Sequence, residues 1–190
     1  MKKIVLTGGP ASGKTTALSI LKEEYGTDIE LAKEAATLVY SGGFPRDDRS
    51  KRHTYHAQRI IYYTTKELEA LAEEINPTAK IVLCDRGSLD GAVYWPYGQE
   101  DFFKTFNTTI GEEFKRYYAV IHMSPPKEAK FYQNTSVRTE SLERALQVDE
   151  DILKLWQGHP RHIVIPESND YVKKALIVRK TIRKIINGEI

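Results

Sequence analysis

The segment Gly8-Gly9-Pro10-Ala11-Ser12-Gly13-Lys14-Thr15 follows directly on the apolar run Ile4-Val5-Leu6 and constrains the chain more than any other feature. It matches the pattern G-x-x-x-x-G-K-[ST], a loop that wraps phosphates. Its flanks agree with its letters. A short strand rich in branched residues enters the loop, and Thr15 to Tyr25 leaves it with Leu18, Leu21 and Tyr25 at helical spacing. Gly26 supplies the helix stop. The backbone N–H groups of residues 9–15 are expected to converge on a β-phosphate at the positive end of that helix. Lys14 would bridge the β- and γ-phosphates, and the Thr15 hydroxyl would hold Mg²⁺. Gly8 through Thr16 are therefore the expected nucleotide-binding residues, and what the chain does with the nucleotide must be read from the rest.

A length of 190 residues suits one domain with a sizeable core. An apolar content of 41% with 28% charged residues is that of an ordinary soluble globule. The formal charge of +2 lacks the strong basic bias of nucleic-acid binders, so no nucleic-acid polymer is expected as a partner. Cys84 is the one cysteine, which excludes an intrachain disulfide and a multi-cysteine zinc site. Within Ile81-Val82-Leu83-Cys84 it reads as a buried structural thiol. No apolar run approaches the roughly 18 residues a membrane span requires. The N-terminus opens at once into a core strand, leaving no room for a signal peptide, so a cytoplasmic protein is expected.

Strands and helices alternate along the chain, the pattern of a parallel sheet covered on both faces. Strands are expected at Lys3–Thr7, Asp28–Ala32, Lys80–Asp85, Ala119–His122 and His162–Pro166. A long helix from about Ser50 to Ile75 would put Ile61, Leu68, Leu71 and Ile75 on one side, with Asn76-Pro77 ending it. The last helix begins near Asp170, a good N-cap, and would turn Val172, Leu176, Ile182 and Ile186 inward. No repeat, linker or second domain interrupts residues 1–190. Residues 124–148 are polar, lack a strand signal and contain Arg138, Glu140, Glu143 and Arg144. Between the fourth and fifth strands of a nucleotide-binding sheet, such a segment reads as a closing lid. A solvated helical hairpin is the alternative.

The third strand ends in a carboxylate, Asp85. An acid at the C-terminal edge of a central parallel strand points into the crevice where ligands bind. There it can share with Thr15 the holding of Mg²⁺. Arg86 would face the same crevice and neutralise charge on a phosphoryl group in transfer. The competing reading is a strand-end acid paired with its neighbouring arginine.

Gly8–Thr16, Glu34-Ala35-Ala36-Thr37, Asp85-Arg86-Gly87 with Asp90, and Val137-Arg138-x-Glu140 together resemble the P-loop nucleoside and nucleotide kinases. The sequence is more similar to the AAA-type ATP-binding family that includes the nicotinamide riboside kinase domain, and the resemblance covers nearly the whole chain. It implies a three-layer α/β fold, the kinase core of the P-loop NTPases. That core is a five-stranded parallel sheet flanked by helices and closed by a helical lid at about 124–148. It also implies ATP with Mg²⁺ and phosphoryl transfer to a small-molecule acceptor.

In similar kinases an acid after the second strand contacts the acceptor hydroxyl, the position held here by Glu34. The alternative is an ordinary acid in the first turn of a helix. Gln58 and Tyr62 are four apart and share a helix face, with Tyr55 nearby on a helix that lines the acceptor site in such kinases. An amide beside an aromatic ring suits a flat heterocycle, although tyrosines at this spacing also build cores. His53 and His56 have no evident third ligand and read as surface residues. Gly43-Phe44-Pro45-Arg46 resembles a stretch of adenylate kinase but follows no clear strand; a loop admitting the acceptor fits better, with Arg46 or Arg49 contacting an anion. Asp90, sharing a face with Tyr94, is a further acceptor contact or a helix N-terminal acid. The basic face of the last helix (Lys173, Lys174, Lys180, Arg183, Lys184) reads as solvated, with an anionic surface as the minor alternative.

The leading expectation is a Mg-dependent small-molecule kinase that transfers the γ-phosphate of ATP to a hydroxyl or phosphate of a nucleoside-, nucleotide- or riboside-like acceptor. Lys14, Thr15 and Asp85 hold MgATP, Glu34 orients the acceptor hydroxyl, and Arg86, Arg138 and Arg144 stabilise the moving phosphoryl group. The rival from another class is a nucleotide-switched regulatory or binding protein. A GTPase version lacks both the Asn-Lys-x-Asp base-reading motif and an Asp-x-x-Gly switch, since Gly87 falls two residues after Asp85. A mechanical ATPase would need a further subdomain for which 190 residues leave no room. Nothing in the pattern sets an oligomeric state.

Overall fold

The computed structural model describes residues 1–46, 50–126 and 141–190. Strand β1 (Lys2–Thr7) runs into the phosphate loop and helix α1 (Lys14–Tyr25). There follow β2 (Ile29–Ala32), α2 (Ala35–Ser41), α3 (Lys51–Ile75) and β3 (Ile81–Asp85). A 3-10 turn at Ser88–Asp90 leads to α4 (Gly91–Tyr94), α5 (Gln99–Phe106) and α6 (Ile110–Lys115). Strand β4 (Ala119–Met123), α7 (Leu142–Trp156), β5 (His162–Ile165) and α8 (Tyr171–Ile186) complete the order. The five expected strands are all present, with ends within a residue of the expected ones.

All pairings are parallel, in the order β2-β3-β1-β4-β5. Period-2 alternation along a strand covered on both faces explains the unbroken apolar runs. Ile4 and Leu6 face α1 and α8, packing with Leu18, Leu21, Val178 and Ile182. Val5, Val82 and Val120 face the opposite layer, where Tyr62, Phe102, Val148, Ile152 and Trp156 close the second core. Gly26 ends α1, and Asp170 caps α8 by accepting the Lys173 N–H at 2.9 Å.

Two helix faces are rotated from the expected ones. In α8 the inward residues are Lys174, Ala175, Val178, Ile182 and Ile185, while Val172 and Leu176 are exposed. In α3 Leu71 and Ile75 are exposed, and Gln58, Tyr62, Glu69 and Ala72 are buried. The cause is the same in both: partners from distant elements satisfy a buried charge, Glu69 in α3 and Lys174 in α8. Glu69 has no exposed surface because Arg116 and Tyr117 each donate to it at 2.6 Å. His53 and His56 lie on the exposed side of α3.

The strand order reverses direction at β1, and the crevice opens beyond the C-terminal ends of β1 and β3. Leu6 pairs with Asp85, and the Arg86 N–H donates to the Leu6 carbonyl at 3.0 Å, so loop and acid emerge side by side. At the other end of the strands the C-terminus is tied down, with the Tyr118 hydroxyl donating to the Ile190 carbonyl at 3.1 Å. Among the described residues no helix is long and apolar enough to cross a membrane.

Candidate functional site

The crevice is a cavity of about 630 Å³. The loop from Pro10 to Thr16 forms its floor. Gly8 has φ +128°, and a Cβ there would lie 2.1 Å from the Met123 carbonyl oxygen, so the turn out of β1 accepts only glycine. Ala11 (φ +62°) and Gly13 (φ +94°) are left-handed, the geometry of an anion-binding nest at the start of α1.

The Lys14 ammonium lies along this loop, donating to the carbonyls of Gly8 (3.1 Å) and Gly9 (3.0 Å) and to the Ser12 hydroxyl (2.9 Å). Burial, reinforced by the Arg86 charge, lowers its pKa to about 7. Gly8 and Gly9 depart from the expected role. They lie behind the cavity wall, and the Gly9 N–H donates to Asp149 Oδ1 at 2.6 Å rather than facing a phosphate. Pro10 has no N–H, so the convergent donors begin at Ala11.

Asp85 and Arg86 line the wall above the loop. Asp85 Oδ1 is buried without a hydrogen-bond partner among the described residues, and burial raises its pKa. An orphaned carboxylate oxygen in a cavity that Thr15 also lines is the kind of oxygen donor that a hard cation such as Mg²⁺ takes. Arg86 stands at φ +76°, unusual for a side chain larger than glycine, and its surroundings hold it there. Its Nε donates to Glu34 Oε1 at 2.9 Å, and its terminal nitrogen reaches the Gly8 carbonyl at 3.2 Å and Asp90 Oδ2 at 3.4 Å. The alternative pairing of Arg86 with its neighbour Asp85 does not form.

Glu34 is the residue before α2 and lines the cavity. Burial alone would raise its pKa. The Arg86 charge outweighs that, with a hydrogen bond from the Thr37 hydroxyl at 2.5 Å, and holds it at about 2. Asp90 also borders the cavity, yet only 2% of its surface is exposed. Its oxygens accept from Thr7 (2.6 Å), Trp156 Nε1 (2.7 Å) and Arg86, so it aims Arg86.

On the far wall stand Gln58, Tyr62 and Tyr94. Gln58 is 94% buried by its 6% exposure, and no hydrogen bond ties its amide to any described residue. The Tyr62 hydroxyl is spent on Glu113 at 2.7 Å, and its ring stacks on Phe106, so Tyr62 offers a surface and no hydrogen bond. Behind this wall Ser88, Glu113, Tyr117 and Glu69 form a buried network under the Asp85-Arg86-Gly87 turn. Arg46 lines the mouth over the Tyr40 ring, and Arg144 reaches the cavity from the first turn of α7, whose N-cap is Ser141. Arg138, Arg49 and most of the expected lid lie outside the described residues. Among the described residues no group of three or more His, Cys, Asp or Glu side chains assembles to hold a metal ion.

Sequence reasoning missed Tyr171, whose ring packs over Gly13 and lines the cavity. Its place directly after the Asp170 cap was the available signal.

The model of the AAA domain family matches residues 3–174. The chain belongs to the AAA domain family. No curated protein matches this AAA domain. Among solved structures, deoxyadenosine kinase from M. mycoides with bound dATP superposes with a TM-score of 0.67. It is 12% identical, over 96% of this chain and 100% of that one. The NadR protein in complex with NAD and AMP-PNP superposes with a TM-score of 0.57 at 16% identity. That match covers 94% of this AAA domain but 49% of the NadR chain, so the domain spans about half of NadR. The fold is the one these two structures share.

Proposed function

We propose that this AAA domain is a Mg-dependent small-molecule kinase that transfers the γ-phosphate of ATP to a hydroxyl of a nucleoside- or riboside-like acceptor. The observation that carries the reading is the Glu34–Arg86 pair, lining the same cavity as the phosphate loop. A nucleotide switch needs no ionised acid and fixed arginine on the wall facing the phosphates, and the pair therefore favours transfer over switching.

In this reading the N–H groups from Ala11 to Thr15 and Lys14 hold the phosphates, with Thr15 and Asp85 on Mg²⁺. When bound, Mg²⁺ would neutralise phosphate oxygens. Glu34, ionised at every ordinary pH, accepts the acceptor O–H and turns the oxygen's lone pair toward the γ-phosphorus. The new O–P bond forms as the bond to the β-phosphate oxygen breaks and ADP leaves, and late in the transfer the acceptor's proton passes by way of Glu34 to solvent. A pKa of about 2 suits an orienting carboxylate, because a loose phosphoryl-transfer transition state needs little proton abstraction. Arg86, fixed by Asp90 and Gly8, stabilises the charge spread over the moving group, and Arg144 adds to it from α7. The free amide of Gln58 offers one donor and one acceptor to a heterocycle packed on Tyr62.

The test is incubation with MgATP and a panel of nucleosides, nucleotides and ribosides, with products identified by mass spectrometry. A phosphorylated acceptor supports the reading. Tight nucleotide binding with hydrolysis alone across the panel would overturn it in favour of a switch.

A further inference from the structure

Two buried charges grip the phosphate loop from behind, one from each helical layer. Asp149 on α7 accepts the Gly9 N–H at 2.6 Å, and the same oxygen pairs with His122 Nε2 at 2.9 Å. Lys174 on α8 has no exposed surface. Its ammonium donates to the carbonyls of Ser12 and Ser124, both at 2.5 Å. The two contacts fall on either side of Pro10-Ala11, where the backbone turns left-handed. Neither side chain lines the cavity.

Burying these two charges is costly. A lysine taken wholly out of water is costly even when hydrogen-bonded, so its burial against the loop points to a role beyond packing. Burial lowers the Lys174 pKa to about 8, and the Asp149 charge acts against that fall, so the two charges compensate each other. Gly9 carries a second mark of the arrangement. The phosphate-loop pattern tolerates any residue there. Here a Cβ would meet Asp149 Cβ at 2.8 Å and the Ala145 carbonyl oxygen at 2.9 Å, so glycine is required by the approach of α7.

We propose that Asp149 and Lys174 are positioning residues for nucleotide binding, fixing the loop backbone on both sides of Pro10-Ala11 so that its N–H groups face the cavity before a polyphosphate arrives. A loop ordered in advance spares the nucleotide that ordering cost. Asp149 also ties the loop to the helix that carries Arg144, so loop and arginine move together. The inference rests on the loop as a nucleotide site and is independent of what the γ-phosphate is transferred to.

The experiment compares wild type with K174M, D149A and D149N, measuring calorimetric Kd for MgADP and MgATP beside thermal unfolding. K174M leaves the Ser12 and Ser124 carbonyls without their donor, so it is expected to lower Tm and also to weaken both nucleotides about tenfold, the loss expected for a hydrogen bond to a charged group. In turnover, KM for ATP rises and kcat holds. D149A weakens binding similarly, and D149N, which retains an oxygen acceptor for Gly9, recovers most of it. A K174M protein with lower Tm but unchanged affinity would overturn the proposal, as would D149N binding no better than D149A. Should K174M fail to fold, the D149A and D149N pair decides. A wild type that binds nucleotide yet phosphorylates no acceptor defeats the kinase reading while leaving these comparisons intact.

Discussion

Arg86 and Glu34 meet at 2.9 Å across the mouth of the crevice, joining the end of β3 to the start of α2. The contact fixes a carboxylate in its ionised form beside the phosphate loop. Glu34→Gln keeps the shape and removes the charge. It is expected to lower kcat by about 100-fold, the loss that follows when a reacting atom is misplaced, with KM for MgATP nearly unchanged. Steady-state kinetics with both substrates varied checks it, and full retention of kcat would remove Glu34 from the reaction.

Lys14, held near pKa 7 by burial and by Arg86, is largely neutral at pH 8.5. A polyphosphate beside it favours the ammonium. Nucleotide binding above pH 7 is therefore expected to take up a proton, and affinity to rise as pH falls toward 7. Calorimetry in buffers of different ionisation enthalpy reads this directly; Lys14→Met should abolish the uptake.

Asp85→Asn is expected to separate stability from function. The buried, unpaired carboxylate has a raised pKa, so its ionised form opposes folding at neutral pH and the opposition fades as pH falls. Removing a group of this kind relieves about 1 kcal/mol, which for this size is a Tm gain of roughly 2–4 °C. Nucleotide affinity should meanwhile lose its dependence on Mg²⁺, as titrations with and without the metal would reveal.

Tyr117 gives a prediction about the scaffold. One hydroxyl accepts the Ser88 N–H at 2.8 Å and donates to Glu69 at 2.6 Å. Tyr117→Phe leaves both unsatisfied in a buried setting, at a cost of about 2–3 kcal/mol in denaturant unfolding. Because Ser88 supports the Arg86 turn, activity should fall as well.

Acid should destabilise the protein in two steps. Burial and the neighbouring His122 hold His162 at about 4, so between the unfolded value of 6.5 and 4 the unfolded chain takes a proton that the folded chain refuses. Stability falls across that window. Glu34, depressed from 4.5 to about 2, adds stability above 4.5 that is lost as pH falls toward 2. His162→Gln should flatten the upper step alone in Tm measured against pH.

The sheet was legible because its central strands β1, β3 and β4 are short apolar runs followed by a loop or helix signal, and burial on both faces leaves no alternation there to misread. The loop was legible because its function dictates its spacing. The inward faces of α3 and α8 were not, because Glu69 and Lys174 are inside. A charge is buried only where other elements supply its partners, and those partners (Arg116, Tyr117, the Ser12 and Ser124 carbonyls) are 47 to 162 residues away. Gly9 was misassigned for the same reason: its N–H is claimed by Asp149, a residue 140 positions later.

The bond from Tyr118 to Ile190 has a practical consequence. Tyr118 immediately precedes β4, and β4 runs parallel to β1, which begins at Lys2. Lys2 and Ile190 therefore both lie at the edge of the sheet remote from the cavity. A surface anchor or a fluorophore attached beside either residue sits a full strand length from the phosphate loop. Immobilised protein should thus keep its crevice open to solution.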